Sequence, residues 1–407
     1  MNKVIVFGLG YVGLPLAVTA SKHGYNVTGF DTNTDKIYNL KNGVVDIAGI
    51  TEIEIDILQK SGNLNFVDTL SKFTTPAIFV IAVPTPLDYK RDPDMTYLEA
   101  ACIKISEVIS DGSLVITEST SYVGTLTEFI QPLIEKLSNA NHLRFAVAPE
   151  RIDPGNNHWN LANTPRVIGG ITNECAKLAI DFYSVFCDQV IQVSSPEVAE
   201  AAKLLENTFR QVNIALVNEI ASFTKLINIS MNEVVDAAAT KPFGFMEFRP
   251  GIGVGGHCIP VDPVYLTYSG DKKNLSLDLV KLSNLKNQNQ VKYIVNFIIS
   301  YFKGEISGKR IQIVGITYKK NVPDMRESPA VDLMKNLREL GATVIWHDPL
   351  VEEYQGEKSE DLLLQIDLGL IITPHEQINF QIWSELNSKV LDFSAGKQIL
   401  SFPKFFN

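Results

Sequence analysis

A cysteine set among glycines is the first place in this chain where residue types point to chemistry. Cys258 lies in "GIGVGGHCIPVD", with Gly251, Gly253, Gly255 and Gly256 before it and Pro260 after it. Glycine at that density makes neither a good helix nor a good strand, so the segment reads as a loop. Two readings of the thiol are open. A free cysteine is commonly a small buried hydrophobe. Against that, the glycines give backbone access, Asp262 stands one helical turn on if a helix begins at Pro260, and the N-terminus of such a helix favours a thiolate nucleophile. A metal reading fails because no other Cys or His lies at ligand spacing. His257 reads as a packing or orienting neighbour rather than a base, and Cys102, Cys175 and Cys187 read as core residues.

A second set lies on a predicted helix. Lys203, Glu206, Asn207 and Arg210 recur at three- and four-residue spacing and so share one face of an otherwise apolar stretch. Burying a lysine and an asparagine costs several kcal/mol unless they find partners, so this is either a functional face or a solvated stripe. "APERIDPGN" adds Glu150 and Arg151 at the end of a predicted strand. A carboxylate there can orient or deprotonate water, and the pair also reads as a surface ion pair.

The third set is "FGLGYVG", with Gly8, Gly10 and Gly13 in G-x-G-x-x-G order after a strand and opening a helix. One glycine makes the tight turn, one lets backbone amides approach a pyrophosphate, and one lets helix and strand pack closely. The next strand ends at Asp31, where a carboxylate accepts hydrogen bonds from a ribose and repels a 2′-phosphate, so NAD is expected rather than NADP. Thr85 in "VPTP" and Thr120 in "TEST" also stand at the carboxyl ends of strands. They read as cofactor contacts or as ordinary capping threonines.

The elements that must hold these groups follow from periodicity. "KVIVFG", "YNVTGFD", "AIFVIAVPTP", "SLVITEST" and "RFAVAPE" are short apolar runs separated by helical patterns, which argues a parallel sheet covered on both faces. From Val198 to Leu226 there is no proline or glycine, and apolar residues recur at helical steps, so one long helix of about eight turns is expected. Its apolarity on more than one side argues burial between domains or subunits. "SMNEVVDAAAT" reads as a shorter helix. After residue 300 the pattern restarts: "KRIQIVGITYK", "ATVIWHDP", "LGLIITPHE" and "KVLDFSAG" read as strands, and "SPAVDLMKNLRELG" as an amphipathic helix. The expected fold is α/β, with two Rossmann-like doubly wound domains joined by a long central helix. The segments are 1–195, 196–300 and 301–407. "VGITYKK" lacks the glycine fingerprint, so the C-terminal domain is not expected to bind a second dinucleotide pyrophosphate.

Composition sets outer bounds. The chain has 407 residues, 45% hydrophobic and 20% charged, enough for two or three cores. Its net charge of −10 has no block of like charge, so a nucleic-acid partner is not expected. No run approaches a membrane span, and no secretory signal precedes the four unpaired cysteines, so a cytoplasmic protein with reduced thiols is expected.

Taken together, "FGLGYVGLPLA", "VPTP", "TEST", "PERIDPGN", "KLLENTFR", "GVGGHCIPVDP" and "YKKNVPDMRESP" resemble, in order and over nearly the whole chain, the UDP-glucose/UDP-N-acetylhexosamine 6-dehydrogenase family. The loop "GGHCIPVD" is similar to the N-acetylhexosamine branch, where UDP-glucose enzymes read "GGSCFPKD". "PERIDPGN" and "KPFGFM" resemble the UDP-N-acetylglucosamine enzymes of bacterial O-antigen and capsule pathways. UDP-N-acetylmannosamine, UDP-N-acetylgalactosamine and UDP-glucose enzymes share the same catalytic set.

The resemblance implies an oxidoreductase that takes the C6 hydroxyl of a UDP-N-acetylhexosamine to the acid in two NAD-dependent steps. It implies Cys258 as the nucleophile of a thiohemiacetal and thioester, Lys203 and Asn207 as oxyanion stabilisers, and Asp262 orienting water or moving a proton. Glu150 would support thioester hydrolysis beside Thr120. At NAD it implies Gly8, Gly10, Tyr11, Val12, Gly13, Asp31, Lys36, Thr85, Thr120 and Arg326. At the UDP-sugar it implies Arg151, Ile152, Lys203, Asn207, Arg210, Gly255, Tyr318 and Lys319. The long helix is implied as the element of a homodimer. No metal is expected. A hydroxyacid-type dehydrogenase would need only one hydride transfer and no thiol, and an inactive sensor would have no need of a lysine near one.

Overall fold

The computed structural model describes the chain except residues 46, 48, 154, 155, 157, 396–401 and 407, and the side chains of 387 and 388. Pro154 and Gly155 of "PERIDPGN" fall outside the described residues. Two units form: Met1–Glu206 with Val264–Lys273, and Asn207–Pro263 with Asn274–Asn407.

In the first unit the apolar runs become strands β1 (Lys3–Phe7), β2 (Asn26–Phe30), β3 (Leu64–Val67), β4 (Ile78–Ile81), β5 (Leu114–Thr117), β6 (Arg144–Val147), β7 (Arg166–Gly170) and β8 (Val190–Gln192). They lie in the order β3-β2-β1-β4-β5-β6-β7-β8. The first six are parallel, and β7 runs antiparallel to β6. Helices α1 (Gly13–Lys22), α2 (Thr34–Lys41), α3 (Glu52–Lys60), α4 (Thr96–Val108), α5 (Gln131–Leu137) and α6 (Asn173–Tyr183) make the crossovers and cover both faces. Strand alternation explains why two cores result. Val4, Val6, Ile78, Val80, Leu114 and Ile116 pack in one core with α1, α3 and α6. Ile5, Phe7, Phe79, Ile81, Val115 and Phe145 pack in the other with α4.

Helix α7 runs from Pro196 to Leu226, starting two residues before the expected Val198 because Pro196 fits the first helical turn. Helix α8 (Met231–Ala239) is capped by the Ser230 side chain on Glu233 N–H. Helix α9 is Asp262–Lys272, so regular helix opens at Asp262 rather than at Pro260. The reason is local: Cys258 O accepts both Val261 N–H at 3.0 Å and Asp262 N–H at 2.8 Å, which makes residues 259–261 a turn. Helix α10 (Asp278–Tyr301), the longest element after α7, carries no boundary signal that the sequence reading used.

The second unit holds β9 (Arg310–Val314), β10 (Thr343–His347), a hairpin of β11 (Glu353–Tyr354) and β12 (Glu357–Lys358), β13 (Leu368–Ile371) and β14 (Val390–Asp392), with helix α11 (Pro329–Glu339). The main sheet has the order β10-β9-β13-β14, all parallel. Ile311, Ile313, Leu368 and Leu370 pack on α10 and α11, while Val314, Ile371 and Val390 pack on Trp383 and Phe380. This is the second, smaller Rossmann-like unit that the restarted pattern predicts.

Candidate active site

The glycine fingerprint is a cradle with each glycine explained by a neighbour or by open space. Gly8 has φ +90° and a Cβ there would lie 2.6 Å from Ala82 O. A Cβ on Gly13 would lie 1.8 Å from Gly8 O, so helix and turn can close only on glycine. Gly10 has nothing within 4 Å, so no protein contact demands its lack of a side chain. That clear space, beside a helix whose N-cap Val12 makes no side-chain cap bond and whose first turn has no acid, fits a pyrophosphate. Asp31 completes the fit. Its carboxylate accepts Leu9 N–H at 2.9 Å and Asn33 N–H at 3.0 Å, pairs with Lys36 Nζ at 3.8 Å, and keeps 15% of its side chain exposed for a ribose. Tyr11 and Val12 are half-buried at the start of α1.

The strand ends carry Thr85, Thr120 and Glu150, all half-buried. A buried charge pair absent from the sequence expectations joins Glu118 and Arg166, 2.9 Å apart with side chains 1% and 4% exposed. Tyr183 Oη donates to Glu118 and lies under the Arg166 guanidinium, while Arg166 Nη1 also donates to Ala148 O at 3.2 Å. Burial disfavours the Arg166 charge, but the groups around it, Glu118 first among them, together outweigh burial and its pKa is raised. The pair thus ties the end of β5, just before Thr120, to the end of β6, just before Glu150.

Lys203 is buried on α7, and Asn207 follows it by one turn of the same helix. Also on α7, buried Glu200 accepts Gly124 N–H at 2.6 Å and Leu126 N–H at 3.0 Å. Burial pushes its carboxyl up to about 7, against the pull of those two amides. Arg151 pairs with Glu206, Nη2 to Oε1 at 2.6 Å, and donates to Pro165 O at 2.8 Å. Ile152 N–H donates to the Glu150 carboxylate.

The second unit holds the thiol. Cys258 is half-buried, whereas Cys102, Cys175 and Cys187 are buried, and burial pushes the Cys102 thiol up to about 12. One turn beyond Cys258, Asp262 is 3% exposed and accepts Asn207 Nδ2 at 2.5 Å. Asn207 and the residue that follows the glycine loop by one turn, far apart in sequence, therefore meet at that bond. Gly251 is clamped at both ends, its N–H to Asn218 Oδ1 at 2.9 Å and its O from Gln290 Nε2 at 3.1 Å. Gly255 and Gly256 are glycines for a reason the sequence did not reveal. A Cβ on Gly255 would lie 2.7 Å from Tyr318 Cβ, and one on Gly256 2.8 Å from the Tyr318 ring. Lys319 is half-buried beside Tyr318, and Arg210 is exposed.

Arg326, expected at NAD, lies in the second unit in an ion pair with Asp324, Nη2 to Oδ2 at 2.6 Å. The same Nη2 contacts His257 Nδ1 at 3.0 Å, and Gly256 N–H donates to Arg326 O at 2.9 Å. Burial works against the Asp324 carboxylate's charge, but Arg326 holds its pKa below the usual range. His257 is held by this network, which agrees with an orienting neighbour.

Comparison with known proteins carries the same arrangement to a family. Residues 2–187, 197–289 and 312–398 match the NAD binding, central and UDP binding domains of the UDP-glucose/GDP-mannose dehydrogenase family. Protein CapL of Staphylococcus aureus is 36% identical over 92% of this chain and 91% of its own length. The UDP-N-acetyl-D-glucosamine 6-dehydrogenase of Pseudomonas aeruginosa is 36% identical over 91% of this chain and 87% of its own. The solved structure of the UDP-D-ManNAc dehydrogenase from Pyrococcus horikoshii superposes with a TM-score of 0.86 at 30% identity, covering 98% and 97% of the two chains. With a dinucleotide cradle in one unit, a thiol loop in the other and all three domain signatures in order, the chain belongs to the UDP-glucose/GDP-mannose dehydrogenase family of NAD-dependent nucleotide-sugar dehydrogenases.

Proposed function

We propose that this chain is a UDP-N-acetyl-D-glucosamine 6-dehydrogenase, taking the sugar C6 alcohol to the uronic acid in two oxidations. The observation that carries the reading is the half-buried Cys258 in a loop joined by Asp262 to Asn207 of the lysine-bearing helix. The resemblance of "GGHCIPVD" to the N-acetylhexosamine branch, that of "PERIDPGN" and "KPFGFM" to its N-acetylglucosamine enzymes, and a 36% identical relative of that name support the sugar.

NAD, when bound on Gly8, Gly10, Tyr11, Val12, Gly13, Asp31, Lys36, Thr85 and Thr120, supplies the hydride acceptor for both steps; Arg326 is proposed with this set. Cys258 Sγ adds to the C6 aldehyde, giving a thiohemiacetal whose oxidation leaves a thioester. Covalent capture splits a difficult oxidation into easier steps. Lys203 and Asn207 stabilise the oxyanion, a contribution of about 3–4 kcal/mol per donor in related chemistry. Asp262 orients water or moves a proton, and Glu150 supports hydrolysis. Arg151, Ile152, Arg210, Gly255, Tyr318 and Lys319 hold the UDP-sugar, with cations offsetting the phosphate charge in an acidic protein. We further propose the three segments 1–195, 196–300 and 301–407 as NAD-binding, central and UDP-sugar-binding regions, and a cytoplasmic homodimer serving O-antigen or capsule precursor synthesis.

The test is a panel of UDP-sugars followed by NADH absorbance. Two equivalents of NADH per UDP-N-acetylglucosamine, with slower turnover of the UDP-N-acetylmannosamine, UDP-N-acetylgalactosamine and UDP-glucose analogues, is the expected result. Preference for UDP-N-acetylmannosamine would move the assignment to the sugar named for the Pyrococcus horikoshii structure.

A further inference from the structure

The turn after the first strand of each unit's main sheet is built the same way. Gly8 N–H donates to Phe30 O at 2.9 Å and Leu9 N–H to Asp31 Oδ2 at 2.9 Å. In the second unit Gly315, at φ +82°, donates its N–H to His347 O at 2.8 Å, and Ile316 N–H donates to Asp348 Oδ2 at 2.8 Å. The two carboxylates then diverge. Asp31 keeps part of its side chain exposed, whereas the side chains of Asp348 and His375 are 0% exposed. Asp348 Oδ2 also accepts Thr317 N–H at 3.1 Å and His375 Nε2 at 3.1 Å. Helix α1 opens at Gly13, directly behind its turn, while α11 opens only at Pro329. A carboxylate so enclosed cannot meet a ribose, and the proposed chemistry gives it no task.

Its bonds lead elsewhere. Asn321 N–H donates to His375 Nδ1 at 2.9 Å, so Nδ1 is the acceptor and Nε2 carries the hydrogen, shared between Asp348 Oδ2 and Thr317 Oγ1 at 2.9 Å. Thr373 Oγ1 donates to Thr317 O at 2.7 Å, and Glu376 N–H donates to Asn321 Oδ1 at 3.2 Å. The residues after β13 therefore grip both ends of the loop Thr317–Asn321. Between those ends stand Lys319 and Tyr318, and against Tyr318 lie Gly255 and Gly256.

We propose that the buried Asp348 and His375 are positioning residues: they fix the Thr317–Asn321 loop so that Tyr318 and Lys319 meet the UDP moiety, and through Tyr318 they fix the glycines that carry Cys258. Burial works against the Asp348 charge, but the His375 hydrogen bond leads the contacts that keep its pKa lowered, so Asp348 stands as a carboxylate. The inference rests on the assignment of Tyr318 and Lys319 to UDP made above.

Two isosteric variants of the full-length protein divide the histidine's bonds. His375→Gln keeps a donor toward Asp348 and loses the acceptor for Asn321. His375→Asn keeps an acceptor at the Nδ1 position. UDP affinity by calorimetry is expected to fall about tenfold or more in His375→Gln, with NAD affinity unchanged and the rate of Cys258 alkylation by iodoacetamide altered. His375→Asn is expected to recover part of the loss. The proposal is overturned if His375→Gln leaves UDP affinity and alkylation both within about twofold of the parent, if NAD affinity falls in parallel, or if His375→Asn recovers nothing. Lys319→Ala separates this from the functional assignment. If it retains full UDP affinity, the loop's role toward UDP is what fails, and the alkylation rate alone decides the positioning role.

Discussion

A thiol one turn upstream of a buried carboxylate, with an asparagine amide on that carboxylate, is a local arrangement that sets Cys258 apart from the other cysteines. Thiolate chemistry needs access as well as a favourable field, and the other three thiols lack access. Limiting iodoacetamide is therefore expected to label Cys258 first, with mass spectrometry showing Cys102 unlabelled until the protein unfolds. Equal labelling of Cys102 in the native state would count against the assignment. Glu200 makes a different prediction. Its carboxyl is raised from 4.5 to about 7 in the fold because burial disfavours the charge. The folded state thus binds the proton more tightly, so the wild-type protein loses stability relative to Glu200→Gln as pH rises through that window, and the difference levels off above it. Chemical denaturation at about pH 5 and about pH 8 tests this; a difference that does not change, or grows in favour of the wild type, would refute it.

At the scale of elements, the strand ends are held by bonds that no motif announces. Removing one partner of a fully buried ion pair leaves an uncompensated charge, so Arg166→Met is expected to destabilise the protein by about 3–5 kcal/mol. The double variant Glu118→Leu with Arg166→Met should be less destabilised than Arg166→Met alone, since it buries no orphan charge. Denaturant midpoints read both, and a single-variant loss under about 1 kcal/mol would show that the pair is dispensable. The parallel runs and the glycine cradle were legible because apolar continuity and G-x-G-x-x-G are local patterns. β3, β7 and β8 were not. "LNFV" is short, "RVIGG" ends in glycines whose Cβ positions are filled by Ser195 O and Ala176 N, and "VIQ" is largely exposed. Their strand identity comes from the sheet edge they join.

For the whole molecule, α7 leaves a stripe of exposed apolar side chains. Phe209, Leu216, Ile220 and Phe223 are 45%, 55%, 37% and 59% exposed and recur at three-, four- and seven-residue steps along one helix. The proposed homodimer would cover a stripe of that kind. Light scattering should give a dimer for the parent chain and a monomer for Leu216→Glu with Phe223→Glu; a monomeric parent would remove the proposed role of this helix. Negative charge is spread along the chain with no basic block, which is why the proposed function gives the phosphates to particular residues such as Lys319 and Arg210.

The sequence by itself determined the two Rossmann-like units, the glycine turn between the first strand and the first helix, the long helix, and the thiol loop, because each is a contiguous pattern whose physics acts over a few residues. Even the second unit's Gly315 and Asp348 were visible as a strand, a turn and a later strand ending in an acid. What only the tertiary structure decided depends on residues distant in the chain. It put Asp262 on Asn207, used Gly255 and Gly256 to seat Tyr318, and drew Arg326 to Asp324 and His257. It also left Asp31 partly exposed while closing Asp348 beneath His375. Two acids at equivalent strand ends are the same letter in the sequence, and only burial with its hydrogen-bond partners tells the partly exposed one from the enclosed one.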